Sequence, residues 1–208
     1  MFFEPLPEQD DAPGAAEPEL PAWTAPPTDE TGVVVPTGLM LARTPHVAIA
    51  LPMVRSFRTG CLMEVEVILR QGELSSDAFS DLQAGVYPTP FSRRFPPNRM
   101  LRIGVRYADG GKAGTLIRNG ERVRIGPEGR PVGPLLSWQP TGDQLHGAAP
   151  YLGHNRLKLW LWPLPPAETF ELGVEWPIGG VEPSVVELDG AAFVAAAQRS
   201  DPYWPAPG

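Results

Sequence analysis

The sequence predicts an all-β fold: an antiparallel β-sandwich of immunoglobulin-like architecture, with a short C-terminal helix and a disordered, acidic, proline-rich N-terminal tail. Three observations predict it. Residues Cys61–Arg70 and 101–107 alternate apolar and charged positions with period two. Asp109-Gly110 and Asn119-Gly120 accept the positive φ values that tight hairpin turns require. Finally, 22 glycines and 27 prolines in 208 residues leave little room for long helices, at about twice the usual share of these two types.

The tail comes first. Residues 1–32 hold eight acids (Glu4, Glu8, Asp10, Asp11, Glu17, Glu19, Asp29, Glu30) and neither Lys nor Arg, which leaves 17 basic against 16 acidic residues in the rest. One-sign charge with low hydrophobicity does not offset the entropy of ordering a chain. Two regions follow: a tail over 1–32 and a single β-sandwich domain over 33–208. Within the tail, Pro21-Ala-Trp-Thr-Ala-Pro-Pro27 sets Trp23 in a polyproline-like context suited to docking on the body.

Strands are predicted at 39–43 and at 47–57 with a break at Pro52. The clearest is Cys61–Arg70, with Cys61, Met63, Val65, Val67 and Leu69 on one face and Glu64, Glu66 and Arg70 on the other. A long connection from Gly72 to Asn98 contains a helical turn at 76–83. Leu101, Ile103, Val105 and Tyr107 then point inward, Arg102 and Arg106 outward, ahead of the Asp109-Gly110 turn. Asn119-Gly120 joins 115–118 to 121–125, and a further strand covers 135–139. Segments 157–162 and 169–176 are predicted to form a hairpin that sets Leu161 against Phe170, Leu159 against Leu172 and Leu157 against Val174. The other face of that hairpin carries Trp160 beside Glu171 and Arg156 beside Glu175. Asp189 caps a helix over 190–199, which Pro202 stops.

Four stretches, Leu41-Ala-Arg-Thr-Pro-His46, Leu101-Arg-Ile-Gly-Val-Arg-Tyr-Ala-Asp-Gly110, Leu159-Trp-Leu-Trp-Pro-Leu-Pro-Pro166 and Glu175-Trp-Pro177, resemble a family of hypothetical actinobacterial-type proteins with no known activity. The resemblance runs from about Trp23 to Trp204 and implies a single intact domain, with no activity, ligand or catalytic residue to carry over.

The lone Cys61 and a start, MFFEPLPEQDD, with no basic or apolar leader region predict a cytoplasmic location. The longest apolar stretch, 47–54, is far short of the roughly 20 residues that span a bilayer. No Cys-x-x-Cys, His-Glu-x-x-His, Gly-x-Ser-x-Gly, phosphate-cradling loop or dinucleotide fingerprint is present. We therefore expect no catalytic residue, no metal and no cofactor. The expected role is a non-catalytic interaction module with a protein partner, and neither nucleic acid nor membrane as target.

The sharpest feature is Trp160 with Trp162 on the non-core face of their strand, next to Lys158. Exposed indoles would stack on a carbohydrate or small ligand, or seat a proline-rich partner. Cover by the Ala-rich helix or by the segment around Trp23 is the expectation, because large bare apolar patches are rare. Asp143, His146 and His154 form the only cluster from which a hydrolase reading starts, though without a nucleophile and without metal-site spacing. Arg93, Arg94, Arg99, Arg102 and Arg106 run without an intervening acid. With a body near neutrality they are expected to form a solvated or tail-contacting face.

Overall fold

A computed structural model describes residues 20–87, 96, 99–115, 125–126, 129–139 and 152–204. The chain is mostly antiparallel β-sheet with two helices. Its strands are β1 (Val33–Arg43), β2 (Val47–Ser56), β3 (Cys61–Arg70), β4 (Arg102–Arg106), β5 (Lys112–Gly114), β6 (Leu135–Gln139), β7 (Leu152–Trp162), β8 (Thr169–Trp176) and β9 (Val181–Asp189). They form a five-stranded sheet in the order β1-β2-β3-β7-β6 and a four-stranded sheet in the order β5-β4-β8-β9.

The period-two pattern of β3 is met along its whole length, since Cys61, Met63, Val65, Val67 and Leu69 are all completely buried. Leu101, Ile103, Val105 and Tyr107 likewise face inward. One apolar core takes side chains from both sheets, among them Ile49, Leu51 and Leu159 from the first and Val105, Leu172 and Val174 from the second. Each such large side chain contributes roughly 1.5–3 kcal/mol on burial.

Turn and cap chemistry sets the element ends. Gly110, at φ 87°, closes the β4–β5 hairpin, where Gly111 N–H donates to Asp109 Oδ1 at 2.8 Å. Pro36 is tolerated because β1 is an edge strand, and the register shifts between Pro36 and Leu39. The expected helical turn is a full helix, α1 (Ser76–Gly85), whose cap Ser75 accepts from Ala78 N–H. It buries Phe79 and Leu82 in the core. Asp189 caps α2 (Gly190–Ala197) as predicted, accepting from Ala191 N–H at 2.9 Å. Phe193 of α2 meets Phe170 edge to face at 5.9 Å.

One expectation needs correction here. Segments 157–162 and 169–176 are not a hairpin: β7 lies between β3 and β6, and β8 between β4 and β9. Leu157, Leu159 and Leu161 do share a core with Phe170, Leu172 and Val174, but they reach it from opposite sheets. A face-to-face arrangement satisfies the same alternation as side-by-side pairing, so the pattern did not separate the two. The connection crosses between sheets, anchored where Leu164 N–H donates to Thr59 O at 2.9 Å. Strand β9 lies in a stretch for which the sequence analysis makes no prediction, and its Pro183 is acceptable because the strand stands at a sheet edge.

The Asn119-Gly120 turn and residues 1–19 lie outside the described residues. Residues 20–32 are described and lie on the body. Glu30 is buried and its Oε1 accepts from Arg58 N–H at 2.8 Å. Thr31 N–H donates to Asp201 O, and Tyr203 N–H to Asp29 O, which ties this segment to the C-terminal end.

Candidate functional site

On the outer face of the five-stranded sheet, Trp160 is fully buried. Its indole packs edge to face on Phe57 at 5.7 Å, and its Nε1–H donates to Ala22 O at 2.9 Å. Trp162 is half-buried, with Trp23 standing on it edge to face at 6.1 Å. Gln139 Nε2–H donates to Thr24 O at 2.9 Å. The segment around Trp23, and not helix α2, therefore covers the pair. Lys158 is half-buried, with Gln139 of β6 on one side and Glu64 of β3 on the other. A sugar approaching this face would meet residues 22–24 before the Trp160 ring.

Arg93 and Arg94 lie outside the described residues. The other three arginines of the run each meet a carboxylate of the body: Arg99 pairs with Asp81, Arg102 with Glu175 and Arg106 with Glu171. The acidic partners predicted for the tail are supplied here by α1 and β8. This also corrects the partners read for Glu171 and Glu175, which are Arg106 and Arg102 and not Trp160 and Arg156. The Arg106 guanidinium, hydrogen-bonded to Glu171, holds that carboxyl below its ordinary range and raises the arginine in turn.

Asp143 and His146 also lie outside the described residues. His154 sits on β7 with Nε2 at 3.6 Å from Glu66 Oε1, and Arg156 Nε lies at 3.4 Å from the same oxygen. No group of three or more metal-capable side chains occurs among the described residues. Cys61 is buried beside Ser56 Oγ at 3.5 Å, and burial pushes its thiol up from an ordinary 9.0 to about 12. It is a protonated core group. Burial likewise raises Tyr107. Among the described residues no helix is long and apolar enough to cross a membrane.

A site that the sequence reading missed lies on the outer face of the four-stranded sheet. Gly173 of β8 is opposite Gly104 of β4, and Gly104 is opposite Gly114 of β5. Val185 of β9, 56 % exposed, completes the row beside Gly173. The three glycines floor a shallow open depression of about 320 Å³. Across four strands such a floor runs roughly 14 Å, with flanking rows about 7 Å to either side. One flanking row is the Arg102–Glu175 pair. The other reads Glu187, Glu171, Arg106 and Lys112, so acids stand at the β9 end and bases at the β5 end.

None of these glycines has a positive φ. At Gly114 an added Cβ meets nothing nearer than Ile103 O at 3.6 Å, and at Gly173 nothing nearer than Ser184 O at 3.7 Å. Only Gly104 is crowded, with Ala113 O at 3.0 Å from an added Cβ. A signal for this site was present. Arg102-Ile-Gly-Val-Arg106 and Glu171-Leu-Gly-Val-Glu175 carry the same spacing with opposite charge, and antiparallel pairing matches each Arg to a Glu and Gly to Gly.

Compared with known proteins, the chain matches no family model, no curated protein and no solved structure.

Proposed function

We propose that this chain is a non-catalytic interaction module, an immunoglobulin-like β-sandwich that receives an extended segment of a partner protein in the glycine-floored channel of its four-stranded sheet. The supporting observation is the row Gly173, Gly104, Gly114. Glycine inside a strand costs roughly 0.5–1 kcal/mol relative to alanine. At Gly114 and Gly173 neither backbone angle nor crowding requires it. A strand position left bare in this way is where another backbone comes close.

The shape favours a polypeptide over a small molecule. A depression of about 320 Å³ is at the lower end for ligand pockets, and an open one does not enclose the greater part of a small ligand. A main chain crossing the strands finds an apolar foothold at Val185 and a guanidinium and a carboxylate, those of Arg102 and Glu175, along one wall. A cytoplasmic setting fits the single, buried, unpaired Cys61.

The test is capture from native-cell lysate with the full chain and with Gly173→Val, read by mass spectrometry. A partner retained by the wild type and lost from the equally stable variant supports the channel. Identical capture by both proteins, or loss of folding in the variant, sinks it.

A further inference from the structure

The indole face of β6 and β7 is filled by the chain itself in a way that has the form of peptide recognition. From 20 to 28 the segment makes no backbone–backbone bond to either sheet; its Thr24 N–H closes a turn onto Pro21 O at 2.8 Å. What holds the segment is a set of side chains fixed on the sheet. Trp160 Nε1–H and Gln139 Nε2–H donate to the carbonyls of Ala22 and Thr24, alternate positions of the segment. Between them, Trp23 stands on Trp162. Ala22 and Thr24 expose their own side chains, so the contact reads main-chain carbonyls and one ring. Residues 22–24 form a turn closed by the Thr24 N–H bond to Pro21 O, so what the indoles receive is a turn that presents two carbonyls on either side of a tryptophan ring.

We propose that this face is a docking site for a tryptophan-centred turn, kept filled by the protein's own residues 21–24, and that its partner is a short peptide of the Pro-Ala-Trp-Thr kind on another polypeptide. The resident segment then acts as a competitor in cis. An incoming peptide gains access only in the fraction of molecules whose segment has lifted, so its apparent affinity is reduced by that fraction. Because no charged pair takes part in the contacts of residues 22–24, exchange depends little on salt. This site and the glycine channel lie on different sheets, so Gly173→Val leaves it intact and the two proposals fail separately.

The experiment uses the 15N-labelled full chain and an unlabelled synthetic peptide of residues 20–29. The Trp160 Nε1–H resonance, assigned through Trp160→Phe, is the reporter. Trp23→Ala in the full chain loosens the resident segment without touching the sheet. We expect saturable movement of the resonance in Trp23→Ala, at about tenfold lower peptide concentration than in the wild type. Gln139→Ala weakens the effect, and a peptide carrying Trp23→Ala loses it. Three results overturn the proposal: no saturable movement in folded Trp23→Ala at about 1 mM peptide, the weakest range that counts as binding; equal binding of the alanine peptide; or movement explained by concentration-dependent dimerisation, which makes a second copy the occupant. Unfolding of Trp23→Ala also overturns it, because the segment is then part of the fold.

Discussion

The two sheets treat their outer faces in opposite ways. On the five-stranded sheet the outward positions of β7 carry indoles, and residues 20–29 are laid across them until Trp160 is entirely buried. On the four-stranded sheet the central outward positions carry no side chain at all, and nothing among the described residues lies over them. Large apolar rings left in water invite association, so a chain that places them outward gains by covering them. Glycines expose only backbone and need no cover. One face is thus closed by the protein itself, while the other stays open beside the Arg102–Glu175 pair.

The largest effect expected from this comparison is on the closed face. Trp160→Ala should lower stability by about 3–5 kcal/mol, as for other buried tryptophans, measured by denaturant melts. Trp162→Ala should cost on the order of 1 kcal/mol through its ring pair with Trp23. Equal and small losses at both positions would mean that the cover contributes nothing.

Alkaline titration sharpens the picture of the core beneath both faces. Burial raises the Cys61 thiol from 9.0 to about 12, so the native state keeps a proton that the unfolded state releases. Stability is fully present below about pH 9 and falls as pH rises toward 12, by at most about 1.4 kcal/mol per pH unit for this proton. Tyr107 adds a loss of the same sign at higher pH. Cys61→Ala should flatten the midpoint-against-pH curve over that range, and an unchanged slope would exclude the thiol as its source. Glu171 has the opposite sign: Arg106 lowers it, so its contribution is present above its ordinary range and lost as pH falls below it.

Glu30→Ala removes the acceptor of Arg58 N–H and should cost about 1–3 kcal/mol. Retention of full stability would mean that water replaces the carboxylate there. A smaller effect of the other sign is expected on the open face. Gly173→Val and Gly114→Val should leave stability to denaturant unchanged or raise it, by up to about 1 kcal/mol, while Gly104→Val should destabilise through its contact with Ala113 O. Destabilisation by all three would show that the row serves packing. Smallest is the wall: Arg102→Ala should cost about 0.2–1 kcal/mol, less at high salt, as for other half-exposed pairs.

How far these faces could be read in advance differs by residue. The inward set of β3 and of 101–107 was plain, because period two assigns sides without reference to any partner strand. The placement of Trp160 and Trp162 on the non-core side of their own strand was plain for the same reason. Their neighbours were not. The partners of Glu171 and Glu175 were misread because strand pairing depends on which sheet each strand joins, and that choice is made by a connection whose course short-range pattern does not reveal. The matched segments around Gly104 and Gly173 held the correct pairing in their opposite charges, but only once β8 is set beside β4.

The sequence by itself determined the β class, the faces of the strongest strands, the Asp109-Gly110 turn and the Asp189 cap, each of which depends on residues a few positions apart. Only the tertiary structure decided which sheet takes each strand, that residues 20–29 cover the indoles, and that three glycines distant in sequence align into one channel. These are choices among alternatives that bury the same apolar faces equally well. They are settled by contacts between segments as far apart as Ala22 and Trp160, or Gly104 and Gly173, whose energies appear only after the chain has come together.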